Sequence, residues 1–352
     1  MDSAANIVVL AGLVIGLIYG AVGLISGFCM MSSLRGWWAE GDGRLVRTYA
    51  LAMGTAIATS QLLAAAGFVD LGKSIYLQPS FSAPMMFLGG LLFGYGMVLS
   101  NGCGSRALVL LGRGNLRSFV VVIVLGIFAE MTLKGLIAPA RIAMVGASQT
   151  AATVNSLPAL LATAGLGEGS ARMLAASLPG AALIIFAFAH PPFRKSSGQI
   201  AAGLVVGLLV AAGWFATGYL GADDFNPTPV TSLTFIAPIA DALQYVMLST
   251  GSTLNFGIVT VFGVFAGSLV TALATGRFQL EGYQSPRHML RSAAGAALMG
   301  TGGVMAFGCS IGQGLTGLST LALASFVAVA GIMVGTAAGL RGALRVRPLA
   351  AA

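Results

Sequence analysis

Apolar runs of roughly twenty residues, the length a helix needs to cross the hydrocarbon of a bilayer, recur along this chain. Short segments holding most of its charge separate them. They occupy 7–34, 45–69, 116–138, 173–189, 200–220, 256–274 and a last stretch that ends near 340. Two further runs are interrupted. One has an apolar arm over 83–99, a small polar knot, "SNGCGSR", and a short arm to 111. The other runs from 289 to 307, breaks at "GCSIGQG" and resumes over 311–318. More polar stretches lie at 146–170 and 221–253. The pattern predicts an all-α polytopic membrane protein of roughly nine crossings with two interrupted helices. No basic leader precedes the first run, so it reads as a retained span rather than a cleaved signal.

The basic residues fall in alternate loops. Arg35, Arg44 and Arg47 follow the first run, Arg113 and Arg117 the third, and Arg194 and Lys195 the fifth. Arg277, Arg287 and Arg291 follow the seventh, and Arg341, Arg345 and Arg347 the last. If each interrupted element crosses fully, all of them lie on one side. The excess of basic residues makes that side the cytoplasm, with a periplasmic N-terminus and a cytoplasmic C-terminus.

The two knots belong to a repeat. A shift of 206 residues carries Gly89, Gly94, Gly96, Gly102 and Cys103 onto Gly295, Gly300, Gly302, Gly308 and Cys309. Upstream, "GLVIGLIYGAVGLISGF" resembles "GLVVGLLVAAGWFATGY", and "MGTAIATSQLLAAAGF" resembles "FGVFAGSLVTALATGR". Equivalent elements start on opposite sides of the membrane, which is an inverted repeat. One transmembrane domain, 1–352, then divides into a half over 7–139, a connecting segment and helix over 140–195, and a half over 198–341. Transporters of this build bind substrate near the bilayer midplane, at broken helices from each half. Cys103 and Cys309 are expected to approach each other from opposite sides.

Composition narrows the function classes. The chain is 57% hydrophobic and 8% charged, against about 25% charged in soluble domains. Its net charge of +8 sits in loops, with no basic patch interleaved with aromatics, so nucleic acid is not an expected partner. Three cysteines make no disulfide framework. Two histidines and ten scattered acidic residues suggest no metal cage, and no cofactor is expected. No phosphate-binding loop of the Walker type is visible.

The knots carry the candidate chemistry. Non-helical backbone survives at membrane depth only inside protein or along a cavity. Gly102, Gly104 and Gly308 allow the turns, and the short arms that follow begin at helix N-termini, which favour anions. Asn101, Ser105, Ser310 and Gln313 add neutral donors and acceptors. Neither knot holds Asp, Glu or Lys, which argues against a cation site or a carboxylate proton relay. A cysteine contributes a weak S–H donor and a soft sulfur, suited to a sulfur-bearing anion held by contact or by transient exchange. Cys29, in "GLISGFCMMSSLRGWW", reads first as a small buried hydrophobe, although Gly27 and Ser32 also allow it to line the route. Arg106 either neutralises an anion or snorkels. Glu130 and Lys134 form a structural pair one helical turn apart. Trp37, Trp38 and Trp214 are expected at interfaces.

At these residues the chain resembles the YeeE/YedE sulphur-transport family. The resemblance rests on the repeated "GxxFGxGMxxxxGCGS" and "GxxLMGxGxxxxxGCSIGQG", with "SLTFIAPIADALQYV" and "FGIVTVFGVFAGSLVTAL" in the second half. It implies an inner-membrane protein, not an enzyme, that takes up thiosulfate. It implies three pathway cysteines, Cys29 in "GFC", Cys103 in "NGCGS" and Cys309 in "GCSIG", which pass the anion along a narrow path. The implied partner is a small cytoplasmic sulfur carrier of the TusA type. The alternative is a membrane sulfurtransferase that forms a cysteine persulfide and relays sulfur to such a carrier.

Overall fold

In a computed structural model, which describes residues 3–151, 154–223, 228–283, 285–342 and 344–346, the apolar runs are helices. Helix α1 (Ser3–Ser26) is followed by the short α2 (Met30–Arg35), which continues as a π-helical turn over Gly36–Glu40. Then come α3 (Arg44–Ala65), α4 (Ala83–Leu99), α5 (Gly104–Gly112) and α6 (Leu116–Leu133). A connecting region holds α7 (Ala138–Ser148), α8 (Leu157–Thr163), α9 (Glu168–Phe188) and α10 (Pro191–Arg194). The rest comprises α11 (Ser197–Phe215), α12 (Ile236–Met247), α13 (Phe256–Ala274), α14 (Pro286–Met305), a π-helical turn over Gly312–Gly317, and α15 (Leu323–Leu340).

Local chemistry sets several of the starts. The side chains of Ser82, Asn115, Asn255 and Ser285 each accept the backbone N–H three residues on, at the first turns of α4, α6, α13 and α14. That contact satisfies an amide the helix itself leaves unpaired. Proline in the first turn of α4 and α14 removes another such donor.

Seven segments among the described residues are long and apolar enough to cross a membrane, with α4 and α5 together forming one of them over Ala83–Gly112. Helices α3 and α14, the other two expected crossings, have 22 and 20 residues but are more polar, each with arginines in its N-terminal turns. The chain is therefore an all-α polytopic membrane protein. Of the basic loop residues, Arg347 lies outside the described residues.

Packing follows the sequence repeat. Helix α1 lies along α13, and α11, the counterpart of α1, lies along α3, the counterpart of α13. Helix α4 lies along α15 and α6 along α14; α5 rests on α13 and the 312–317 turn on α3; α2 sits beside α3 and α12 beside α13. Exchanging equivalents turns each of these contacts into another on the same roster.

At the centre α4 and α14, each other's counterparts, pack directly together. A Cβ added at Gly89 would lie 2.7 Å from the Gly302 carbonyl oxygen, and one at Gly302 would lie 2.6 Å from that of Gly89. Gly96 and Gly295 repeat the relation at 2.6 and 2.7 Å. The contact is self-complementary, as across a two-fold axis. Only small residues let two backbones come this close, and dispersion between them replaces the hydrophobic drive that lipid does not supply.

The connecting region has no counterpart in this exchange. Ser80–Phe81 pairs antiparallel with Thr150–Ala151, and Ser82 Oγ meets Ser148 Oγ at 2.6 Å. The Leu157 N–H donates to the Leu321 carbonyl at 2.9 Å, just beyond the second knot. Trp214 departs from its expected place at an interface. It is fully buried and donates its indole N–H to Ser319 Oγ at 3.1 Å, because a buried indole needs an acceptor that the polar turn after Gly317 supplies.

The central crossing leads to a stability prediction. Gly302→Leu must drive a side chain into the Gly89 backbone and should cost at least about 1–3 kcal/mol, read as a fall in the thermal midpoint of the detergent-solubilised protein. Gly146→Ala, in α7 where an added Cβ meets nothing within 4 Å, should leave the midpoint unchanged or raise it slightly. Equal midpoints for Gly302→Leu and wild type would show that the crossing is not tight.

Candidate functional site

Both knots are built by the same turn. At the end of α4 the Gly102 N–H donates to the Met97 carbonyl at 2.9 Å and the Asn101 N–H to that of Val98 at 3.4 Å. At the end of α14 the Gly308 N–H donates to Gly303 at 2.8 Å and the Phe307 N–H to Val304 at 3.1 Å. These bonds close the helix ends in the manner of a Schellman motif. The residue in the left-handed conformation is Asn101 in one knot, with φ 59°, and Phe307 in the other, with φ 54°. A left-handed non-glycine costs about 1–2 kcal/mol, and the fold retains one at each knot.

The next residue but one starts a new helix. The Ala107 N–H donates to the Cys103 carbonyl at 2.9 Å, and the Gln313 N–H donates to that of Cys309 at 2.8 Å. Cys103 is the N-cap of α5, and Cys309, two residues before the N-cap of the 312–317 turn, accepts the Gly312 N–H with its Sγ at 3.2 Å. Cys29 is the N-cap of α2, where its carbonyl accepts the Ser33 N–H at 2.9 Å. Gly27, in the left-handed region at φ 70°, makes the turn out of α1 that puts it there. All three cysteines are therefore buried at the amide ends of helices, where backbone N–H groups and the helix dipole favour negative charge.

The structure brings Cys29 and Cys103 together, with Sγ atoms 3.6 Å apart. Ser105 Oγ lies 3.3 Å from Cys103 Sγ and accepts the Tyr19 hydroxyl at 3.2 Å. Arg106 donates from Nη1 to the Gly27 carbonyl at 3.1 Å. It braces the loop that carries Cys29 against the loop that carries Cys103.

Aromatic rings connect this pair to the second knot. Phe28, next to Cys29, stacks on Tyr49 with centroids 5.3 Å apart, and the Tyr49 hydroxyl donates to the Ser310 carbonyl, next to Cys309. Tyr19 packs on Phe235 at 5.2 Å. Phe235 is the N-cap of α12, and the 206-residue shift places it on Cys29.

At the second knot Gln313 Nε2 donates to the Ala306 carbonyl at 2.6 Å. Among the described residues Gln313 Oε1, Ser310 Oγ and Ser325 Oγ are buried with no hydrogen-bond partner. A small cavity of about 50 Å³ reaches Gln313 and Phe307 from beneath Ser80 and Gln149. Buried polar atoms are paired as a rule, so this cluster is suited to a polar guest.

The expected site residues sort into two groups. Cys29, Gly102, Cys103, Gly104, Ser105, Gly308, Cys309, Ser310 and Gln313 are buried around the two knots. Asn101 is exposed instead, and its Oδ1 accepts from Arg35 Nη1 at 2.5 Å. The sulfur beside Cys103 is that of Cys29. Tyr19, Tyr49 and Phe235 escape a sequence reading, although a tyrosine inside a long apolar helix was an available signal. Glu130 and Lys134 pair at 3.3 Å, joined by Asp241 at 3.4 Å from the lysine, a partly exposed cluster that contributes little to stability.

A bundle of membrane-crossing helices, two of them broken at buried thiols, defines a membrane transport protein. Residues 25–338 match the family described as sulphur transport, and the chain belongs to that family, in agreement with the paired Gly-Cys signatures. It is similar to the thiosulfate transporter TsuA of Escherichia coli K12, with 26% identity over 327 residues, covering 87% of this chain and 86% of that protein. It is equally similar to TsuA of Spirochaeta thermophila, with 26% identity over 328 residues, covering 90% of this chain and 93% of that one.

Sulfurs 3.6 Å apart need to close by about 1.5 Å to bond at ~2.05 Å. A thiol-specific oxidant such as diamide should therefore lower the titratable thiols of the denatured protein from three to one. Peptide mapping should find Cys29 joined to Cys103 and Cys309 unmodified. A linkage through Cys309, or three surviving thiols, would show that the pair is not held at this distance.

Proposed function

We propose that this chain carries thiosulfate, or a closely related small sulfur anion, inward across the bacterial inner membrane without altering it. The observation that carries this reading is the burial of all three cysteines where helical turns begin, Cys29 and Cys103 as N-caps and Cys309 with its Sγ on the Gly312 amide. A helix N-terminus presents roughly half a positive charge and free amide donors. Thiosulfate needs such donors for its oxygens and a soft contact for its terminal sulfur, and a thiol among amides offers both. The names of the two relatives support thiosulfate as the substrate.

In this reading the chain is an inverted repeat with halves over 7–139 and 198–341, and the basic loops face the cytoplasm. The anion meets Cys309 with Ser310 and Gln313 first. It then passes the aromatic group and reaches Cys103 and Cys29, with Gly102, Gly104 and Ser105 around them. Delivery is to a small cytoplasmic sulfur carrier of the TusA type.

One observation favours a second reading, a membrane sulfurtransferase. Two thiols 3.6 Å apart allow one to bear sulfur and the other to receive it. The Cys103 thiolate would attack the outer sulfur of thiosulfate; the S–S bond breaks, sulfite leaves with its electron pair, and the cysteine keeps a persulfide.

The test is uptake of isotope-labelled thiosulfate into right-side-out vesicles. Serine is a good N-cap, so Cys103→Ser keeps the helix start, and Cys103→Ser and Cys309→Ser each replace only the sulfur. Both should lose at least tenfold in initial rate at matched expression. Normal uptake by the serine variants would end the thiol path. Intact wild-type thiols by mass spectrometry during transport support simple passage, whereas a mass gain of one sulfur on Cys103 with sulfite released supports the transferase.

A further inference from the structure

At the C-terminal ends of α2 and α4 a cavity of about 410 Å³ opens to the surface. Arg35, Arg291 and Arg345 line it, with His288 and Asn101, and among the described residues Glu40 is the one carboxylate in its wall. Its position is tied to the paired thiols. Arg35 ends the helix that Cys29 starts, and Asn101 stands two residues before Cys103.

Two of the basic loop residues are neutralised directly by a carboxylate. Arg44 is paired with Asp42 at 2.7 Å and Arg113 with Glu281 at 3.6 Å. Arg35 instead donates to a neutral amide oxygen, Asn101 Oδ1. Among the described residues neither Arg35 nor Arg345 forms an ion pair with a carboxylate. Three guanidinium groups facing one carboxylate across a concave wall focus positive potential into the cavity. The planar guanidinium fork matches oxyanions of sulfur and phosphorus with two parallel hydrogen bonds.

We infer that this cavity is a second binding site, for a small doubly charged oxyanion, with Arg35 as the arm that exchanges Asn101 for the ligand and Arg291 as a cation of the opposite wall. The exchange is favourable because a charged acceptor forms a stronger bond with guanidinium than a neutral amide does. It also frees Asn101, the left-handed residue of the first knot, so ligand arrival is coupled to the turn that carries Cys103. The inference rests on the transport reading only for its place at the inner end of the path; the binding site itself is independent of it.

The test is equilibrium binding of isotope-labelled sulfate and of labelled thiosulfate to the purified full chain in neutral detergent, at fixed ionic strength. Arg35→Gln and Arg291→Gln should each weaken sulfate binding at least tenfold. Arg35→Lys, which keeps the charge and loses the fork, should recover part of it. Arg194→Gln, a basic loop residue outside the cavity, should bind as wild type, and unchanged thermal midpoints establish that the variants fold. Sulfate binding equal to wild type in both glutamine variants would overturn the site, whatever uptake shows. Failure of thiosulfate uptake by wild type, with sulfate binding still lost in the variants, would overturn the transport reading and leave the site standing. Phosphatidylglycerol supplies the same chemistry from a headgroup. If that lipid binds in an Arg35-dependent way and neither free anion does, the cavity is a headgroup site and the free-anion assignment falls.

Discussion

Backbone amides inside a bilayer have no water to bond, and each one left unpaired costs several kcal/mol. Two helices of this chain nevertheless stop short and restart in the protein's interior. Their closing carbonyls are met by the N–H groups of Asn101, Gly102, Phe307 and Gly308. Of the restarting amides, that of Gly312 is met by Cys309 Sγ. Between the two turns α4 and α14 cross closely, where Gly89 faces Gly302 and Gly96 faces Gly295. The breaks keep their backbone groups paired, and the crossing is possible because those four residues have no side chain.

Much of this was legible in the sequence. The spans follow from runs of apolar residues, and the 206-residue shift aligned the glycines whose contacts prove reciprocal. The knots were visible because polar and glycine residues interrupt apolar arms. Three features were not visible, each for a physical reason. The pairing of Cys29 with Cys103 depends on how α1 turns at Gly27, a matter of one dihedral angle and of the Arg106 bond across 79 residues of chain. The burial of Trp214 depends on a serine acceptor that arrives 105 residues later. The more polar character of α3 and α14 blurs a span count based on hydropathy, because helices wrapped by other helices need less apolar surface than helices facing lipid.

The frame is two-fold and its chemistry is not. Cys103 and Cys309 exchange under the repeat, as do Asn101 and Phe307, but Cys29 falls on Phe235. One end of the aromatic group therefore carries two sulfurs and a guanidinium brace, and the other carries one sulfur with unpartnered Ser310 and Gln313 atoms. A symmetric path would offer an anion the same footing at both knots. Here the second knot holds an unpaired serine hydroxyl and an unpaired amide oxygen near a single thiol, and the first holds adjacent thiols.

The asymmetry extends to what covers each knot. The connecting region, which the repeat does not duplicate, lies over the second knot through the Ser80–Phe81 pairing and the Leu157 contact with Leu321. Over the first knot no such strap lies among the described residues; Arg35 reaches to Asn101 beside a wide, basic cavity. A backbone strap opens by moving a segment, whereas a single side chain opens by a change of rotamer. The two knots are thus covered by contacts of different weight, and the lighter one stands beside the basic cavity.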